Sequence, residues 1–454
     1  MKRRSFFHQL AQGSALAGLF SAGRQLGAAE VPPLAVKGLS PLKITKVKAF
    51  LTAPARIRLC VVKVETSEPG LYGLGCATFT QRIRTVHTAV NEYLAPFLVG
   101  KDPDNIEDIW QSMYQSSYWR NGPVLMNGLS GVDAALWDIK AKRAGMPLYQ
   151  LLGGKCRVAI PVYRHAAGPT MESVAIQARQ FMEEGARHIR IQVGVPGQAT
   201  YGATASTNAI PNPRSKLPVL GHFAGDLFEP AAYRRTVPKL FKYIREQLGD
   251  EVELLHDMHE RLPPIDAIGL CKEIEPYRPF FMEDPFAPED VNYFKILRQQ
   301  CATPVAMGEL FNNPSEWVEL VTGRLIDFIR CHLSQVGGIS AARKIAALCE
   351  FFRVRTAWHG PGDTSPVGHA AHVHLDLATT NFGIQEAIVF NDALKEVFPG
   401  CPELKDGMLW CNEKPGLGID FNEELAAKYP IRDDPPFDFS WGRLRDRDGT
   451  IRRP

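Results

Sequence analysis

The amino-acid sequence predicts an α/β protein, a (β/α)8 barrel preceded by an α+β N-terminal capping domain that a C-terminal tail completes. Three observations carry that prediction. The apolar runs ELLHD, FFMED and PVAMGE bring acids in at Asp257, Glu283 and Glu309, at equal intervals of 26 residues, and such an interval suits one strand, one helix and two short loops. The period extends in both directions. Eight strand-like runs end at His165, Gln192, Asp257, Glu283, Glu309, His332, His359 and Glu386, spaced 27, 65, 26, 26, 23, 27 and 27 residues apart. Upstream of Val158 the period is absent, and strands come first with helices after them.

In chain order, residues 1–29 stand apart. Lys2, Arg3 and Arg4 precede Phe6, Phe7 and a small-residue apolar run, and GAAE offers a cleavage site after Ala29. The pair Arg3-Arg4 followed by Ser5-Phe6-Phe7 resembles a twin-arginine export signal, so the expectation is a protein exported to the periplasm already folded. Residues 42–157 form the capping domain. Leu42–Glu65 alternates and is rich in Val, Ile and Thr, and YGLGCATF follows the turn at Glu68–Gly70 as a further strand. VHTAVNEYLAPFL and the stretch from Ile106 to Arg143 carry helical periodicity. Residues 158–398 form the barrel. Its first strands are Ile160–His165 and His188–Gln192, with SVAIQARQFMEEGA as the helix between them. The 65-residue interval holds a Gly-, Pro- and Thr-rich insertion before a helix resumes near Ala231. Residues 399–454 lose the period and are expected to return over the capping domain.

At 454 residues, with 45% hydrophobic and 22% charged residues, the chain has ordinary globular composition and enough length for one large or two medium domains. A formal net charge of +3 gives no basis for nucleic acid as a partner. The nine cysteines are scattered and never spaced CxxC, which suits buried apolar fillers rather than a disulfide framework or a zinc cluster. A fold completed in a reducing cytoplasm before export does not need disulfides. Beyond the signal no apolar run approaches the roughly 18 residues a membrane span needs.

The C-terminal ends of barrel strands converge on one mouth. Three buried, unpaired carboxylates there would cost several kcal/mol unless a cation lay between them, so Asp257, Glu283 and Glu309 predict a metal site. The other strand ends bring His165, Arg190 with Gln192, His259, Arg330 with His332, His359 and Glu386 to the same face. Packing alone does not account for such a polar ring.

A capping domain ahead of a barrel whose third, fourth and fifth strands end in Asp, Glu and Glu resembles the enolase superfamily. Within it, VYRHAAG, IRIQVGVPG followed by TYG, LLHDMHERLPP, MEDP, GELFNNP, DFIRCHLSQVGGI, WHGPGDTSP and RDRDGTIRRP are similar to the mannonate dehydratase branch. The resemblance implies one Mg2+ per subunit held by Asp257, Glu283 and Glu309, a small-molecule acid sugar as substrate, and a homo-oligomer, often an octamer. It also implies the chemistry. A proton α to a carboxylate leaves at neutral pH only if the second negative charge, that of an enediolate, is neutralised in place, and a hard dication does this.

Where related enzymes carry a lysine base on the second strand, this chain has Arg190-Ile191-Gln192. The branch's pattern uses a tyrosine from the following loop, activated by the nearby guanidinium, and the matching residues are Tyr201 and Arg190. His259, two residues past Asp257, faces the same way in an extended segment and would protonate the departing hydroxyl. His359 stands where a neighbouring branch keeps a base, but the preceding strand ends FIRCH without an Asp partner, so it is read as a substrate hydrogen-bond donor or an opposite-face proton relay. His165, Arg330, Asp363 and Glu386 match positions that contact substrate, whereas His332 reads as structural and His256 as packed behind the site. Active members carry an Ala-Thr-Leu-Asn-Gly-Arg type run in the capping domain. Here it is Ala77-Thr78-Phe79-Thr80-Gln81-Arg82, and Thr80 lacks the amide expected to reach the sugar acid. The implied activity is Mg2+-dependent dehydration of a mannonate- or gluconate-type acid to a 2-keto-3-deoxy acid. Epimerisation or another reaction on a different carboxylate, and a weakly catalytic binding or sensing role, stay open.

Overall fold

The computed structural model describes residues 40–195, 226–432 and 444–453. The capping domain starts with an antiparallel meander of β1 (Ile44–Thr52), β2 (Leu59–Thr66) and β3 (Tyr72–Cys76). The helix Pro123–Arg143 lies directly on it. A Cβ on Gly73 or Gly75 would stand 1.9 Å from the carbonyl oxygens of Ala135 and Gly131, so the alternate glycines of YGLGC are what let helix backbone meet strand backbone. Asp138 of that helix accepts from Leu74 N at 3.0 Å, which ties the two together.

The predicted helical stretch from Ile106 to Arg143 is two helices, Ile106–Gln115 and Pro123–Arg143. Between them Tyr118, Asn121 and Gly122 have φ of 65°, 79° and 84°. Pro123 accounts for the restart, since its fixed φ suits the first turn of a helix while it forces the preceding residue out of the helical region.

The barrel strands follow as β4 (Ile160–Gly168) and β5 (His188–Val193); then, past a two-residue strand β6 (Asp226–Leu227), come β7 (Glu253–Asp257), β8 (Phe281–Glu283), β9 (Val305–Met307), β10 (Phe328–Ile329), β11 (Arg355–Thr356) and β12 (Gln385–Glu386). Neighbours pair in parallel in the order β11-β10-β9-β8-β7-β5-β4, and β12 pairs with β4. A bridge from Thr356 to Phe382 joins β11 to the segment entering β12, and the sheet closes. Strands β9 to β11 stop two or three residues short of Glu309, His332 and His359, and a further bridge between His332 and His359 continues the pairing there. Below the polar ends, Tyr163, Leu255, Phe281, Phe328 and Ile384 are fully buried in the barrel interior. Phe281 lies 5.1 Å from Phe328 and 6.1 Å from Tyr163 between ring centroids, so the interior is a packed plug and chemistry is confined to the mouth.

The tail divides between the two domains, which corrects the expectation that residues 399–454 pack on the capping domain. The hairpin of β13 (Glu403–Lys405) and β14 (Met408–Trp410) pairs with the start of β4, and β15 (Leu444–Arg445) pairs with β6. Between them the chain does lie on the capping domain: Leu417 N donates to Asp138 Oδ1 at 2.7 Å, and Ala53 N to Tyr429 O at 2.7 Å. The start of β4 runs past its pairing with β12, which leaves Ile160 and Pro161 as an edge for β14, while β6 and β15 form a two-stranded sheet of their own. No described helix is long and apolar enough to cross a membrane, and all nine cysteines are free thiols.

Candidate active site

Two buried guanidiniums organise the barrel mouth. Arg190 on β5 places Nη1 3.1 Å from Asp257 Oδ2 and 3.3 Å from Glu283 Oε1, and Nη2 3.2 Å from His165 Nδ1. Arg330, just past β10, donates to Glu386 Oε2 at 2.6 Å, Tyr163 Oη at 2.7 Å and Glu309 Oε2 at 3.2 Å, and lies 2.9 Å from Glu283 Oε1. Fixed donors of this kind aim positive charge at one spot and need no reorganisation when an anion arrives.

Asp257, Glu283 and Asp284 each bring a carboxylate oxygen within 4.8 Å of the others. Parallel register sets two of them side by side, Asp257 opposite Glu283. Burial pushes the carboxyls of Glu283 and Asp284 well above the usual carboxylate range, with neighbouring acids adding to it. Glu283 Oε2 and Asp284 Oδ2 have no hydrogen-bond partner among the described residues. Buried oxygens left unpaired in a group of three carboxylates fit a hard divalent cation.

Sequence reasoning missed Asp284. It directly follows Glu283, and strand alternation would point it away, but its φ of 40° breaks the alternation and keeps it in the group. The doublet Glu283-Asp284 before Pro285 was the available signal. Glu309, the predicted third acid, stands outside this group. Its oxygens lie 3.2 Å from His259 Nε2, 3.2 Å from Arg330 Nη1 and 3.3 Å from His359 Nε2. Against the effect of burial, His359, His259 and Arg330 hold its carboxyl well below the ordinary range.

The placement of His259 needs a correction. With φ of 47° at His259 and 58° at Glu260 the chain turns past Asp257 instead of extending, so the two-residue alternation does not apply. The residue nonetheless stays at the site, because its backbone N donates to Asp257 Oδ1 at 2.8 Å. Burial disfavours its charged form, but the facing Glu309 outweighs that and raises its pKa above the ordinary histidine value, which suits a proton donor.

The remaining predicted residues converge. His165 Nε2 is 2.9 Å from Glu386 Oε1, and the Nδ1 atoms of His332 and His359 are 2.6 Å apart. Thr80 Oγ1 donates to Asp363 Oδ2 at 3.3 Å, which joins the capping domain to the loop after β11, and burial pushes the Asp363 carboxyl up to about 6. His256 is packed behind the site, with Nδ1 2.7 Å from Ile191 O and Nε2 2.6 Å from Tyr233 Oη. Tyr163, whose hydroxyl accepts from Arg330 below the mouth, carries no signal in the sequence beyond its place in a strand. Tyr201 and the signal segment 1–29 lie outside the described residues.

Residues 173–425 match the family described as enolase C-terminal domain-like, and residues 39–153 match the mandelate racemase / muconate lactonizing enzyme N-terminal domain. The chain belongs to the enolase superfamily. It is 55% identical over 427 residues to a D-galactonate dehydratase family member of Musicola paradisiaca, covering 92% of this chain and 100% of that protein. Identity to a member of the same family from Pantoea ananatis, RspA, is also 55%, over 426 residues, again 92% of this chain and 100% of that one. Among solved structures, an enolase of Pantoea ananatis with bound D-gluconate and Mg superposes with a TM-score of 0.84 at 55% identity, covering 91% of this chain and 100% of that chain. The enolase-superfamily architecture, a capping domain ahead of a (β/α)8 barrel, is thus found in sequence, fold and neighbours alike.

Proposed function

We propose that this enolase-superfamily protein is a Mg2+-dependent hydro-lyase that dehydrates an acid sugar of the mannonate or gluconate type to a 2-keto-3-deoxy acid. The observation that carries the reading is the buried group of Asp257, Glu283 and Asp284 with unpaired oxygens, set beside a raised-pKa histidine, His259. The dehydratase names of the relatives, and the D-gluconate and Mg in the Pantoea ananatis structure, support it. The ligands we assign to the ion are Asp257, Glu283 and Glu309. Glu309 completes the set on the superfamily pattern of acids ending three successive strands, and it faces His259 and His359; Asp284, whose Oδ1 accepts from Gly308 N at 3.2 Å, is assigned a supporting place beside Glu283. When bound, the ion supplies positive charge beside the substrate carboxylate, which makes the α-proton removable.

The chain's own residues divide the rest. Tyr201, with Arg190 favouring its phenolate, takes the α-proton. His259 gives a proton to the β-hydroxyl as it leaves, so that water is lost across Cα and Cβ, and the enol then ketonises. Arg330, His165, Glu386 and Asp363 hold the substrate's carboxylate and hydroxyls, His359 adds a hydrogen bond, and Thr80 contributes from the capping domain. The twin-arginine-like segment would place this activity in the periplasm.

The test is a screen of aldonic and uronic acids, D-gluconate, D-mannonate and D-galactonate first, for keto-acid formation with Mg2+ and with EDTA. Turnover that EDTA abolishes is the expected outcome. No turnover of any acid sugar with Mg2+ present refutes the reading.

A further inference from the structure

Where β3 and the helix Pro123–Arg143 of the capping domain meet the barrel, a small cavity lies among Cys76, Ser130, Ser334, Thr364, Gly368 and His372, and every residue that lines it is buried. Three polar side chains of this lining have no hydrogen-bond partner among the described residues: Ser334 at Oγ, Thr364 at Oγ1 and His372 at both ring nitrogens. Their relative exposures are 5%, 2% and 1%. Burial holds the pKa of His372 well below the ordinary histidine value, so its ring is neutral, with one donor and one acceptor to satisfy. Each hydroxyl offers both as well. Folded proteins rarely leave such groups unpaired.

The other polar groups of the lining do not supply the missing partners. Ser130 Oγ donates to Met126 O at 2.6 Å and accepts from Gly337 N at 3.0 Å. Cys76 Sγ lies 3.5 Å from Thr78 Oγ1. Gly368 keeps the space open, since a Cβ there would stand 2.6 Å from Thr364 Cγ2 and 3.2 Å from Cys76 Sγ. About 10 Å3 is open to water, the lower edge of what one molecule needs, and a buried water makes about three hydrogen bonds.

We infer that this cavity binds one ordered water, which bridges Thr364 in the loop after β11 to Ser334 and His372 of the barrel. Thr364 is then a positioning residue for its neighbour Asp363, whose carboxylate also takes Thr80 Oγ1 from the capping domain. This second part rests on the dehydratase reading, in which Asp363 holds the substrate, whereas the water site does not.

A crystal structure of the Mg2+-loaded protein that shows ordered waters is expected to place one at about 2.7–3.2 Å from Thr364 Oγ1 and from Ser334 Oγ or a ring nitrogen of His372. A dry cavity, or direct bonds among the three side chains, overturns the site. Thr364→Val keeps the shape and removes the hydroxyl. With D-gluconate as substrate it is expected to raise KM about tenfold, the scale of one lost hydrogen bond, with kcat within a few-fold, and Thr364→Ser is expected to restore KM. Ser334→Ala, on the barrel side of the same water, is expected to raise KM in the same direction and carries the test if Thr364→Val does not fold. A KM unchanged when the water is gone, or a loss that Thr364→Ser does not repair, overturns the positioning role. If D-gluconate and every other acid sugar go unturned, the dehydratase reading fails while the crystal structure still decides the water.

Discussion

At Glu309 and Asp284 the chain offers two acids for one ligand position, and local chemistry separates them. Asp284 is satisfied in part by Gly308 N, while Glu309 faces His259, His359 and Arg330. Titration calorimetry with Mg2+ should show Glu309→Gln weakening affinity by roughly 100-fold or more and Asp284→Asn by about tenfold, the scale of a partner that only supports a ligand. The reverse order would assign the third ligand to Asp284. Both acids are visible in the sequence, but the choice between them is not, because one φ of 40° at Asp284 decides where its side chain goes. His259 is similar. Its type and its nearness to Asp257 are legible, and its real partner, Glu309, follows from a left-handed turn that strand periodicity does not report.

At the scale of elements, the helix Pro123–Arg143 and β3 are held at a distance only glycine permits. Gly75→Ala would set a methyl carbon 1.9 Å from Gly131 O, a backbone atom with no side-chain torsion to relieve it. Thermal unfolding should report a loss of about 3 kcal/mol or more, at or beyond the upper end of overpacking costs, or no folded protein at all. An unchanged melting temperature would mean that the helix and strand can separate without penalty. The barrel strands were legible by period because each apolar run must fill the same interior. Their ends were less so: β10 and β11 are two residues each, and the polar residues that follow are positioned by ion pairs and bridges rather than by ladder pairing.

The whole molecule depends on the junction of capping domain and barrel, where Asp133 of the helix Pro123–Arg143 accepts from Ser340 N at 3.0 Å and Ser340 Oγ at 2.5 Å on the barrel helix Gly338–Phe352. Burial pushes the Asp133 carboxyl from 3.8 up to about 7. The folded state therefore keeps a proton that the unfolded chain has already released, so this contribution to stability is full below about pH 4 and is lost as pH rises through about 7. Asp133→Asn cannot titrate. Between pH 5 and pH 8, at constant Mg2+, the melting temperature of the wild type should fall relative to that of Asp133→Asn. A difference that stays constant with pH would show that Asp133 is ionised throughout.

The sequence by itself determined the barrel, its preceding capping domain, and the acids, arginines and histidines at the mouth, because strand-and-helix period and residue chemistry are both written locally. Only the tertiary structure decided how those residues divide their contacts: Asp284 joins the acidic group, Glu309 faces the histidines, the ends of the tail go to the barrel, and the Nδ1 atoms of His332 and His359 meet. The physical reason is that each of these depends on a single backbone torsion or on a meeting of strand ends some 27 residues apart in sequence, as His332 and His359 are, and neither leaves a period in the chain.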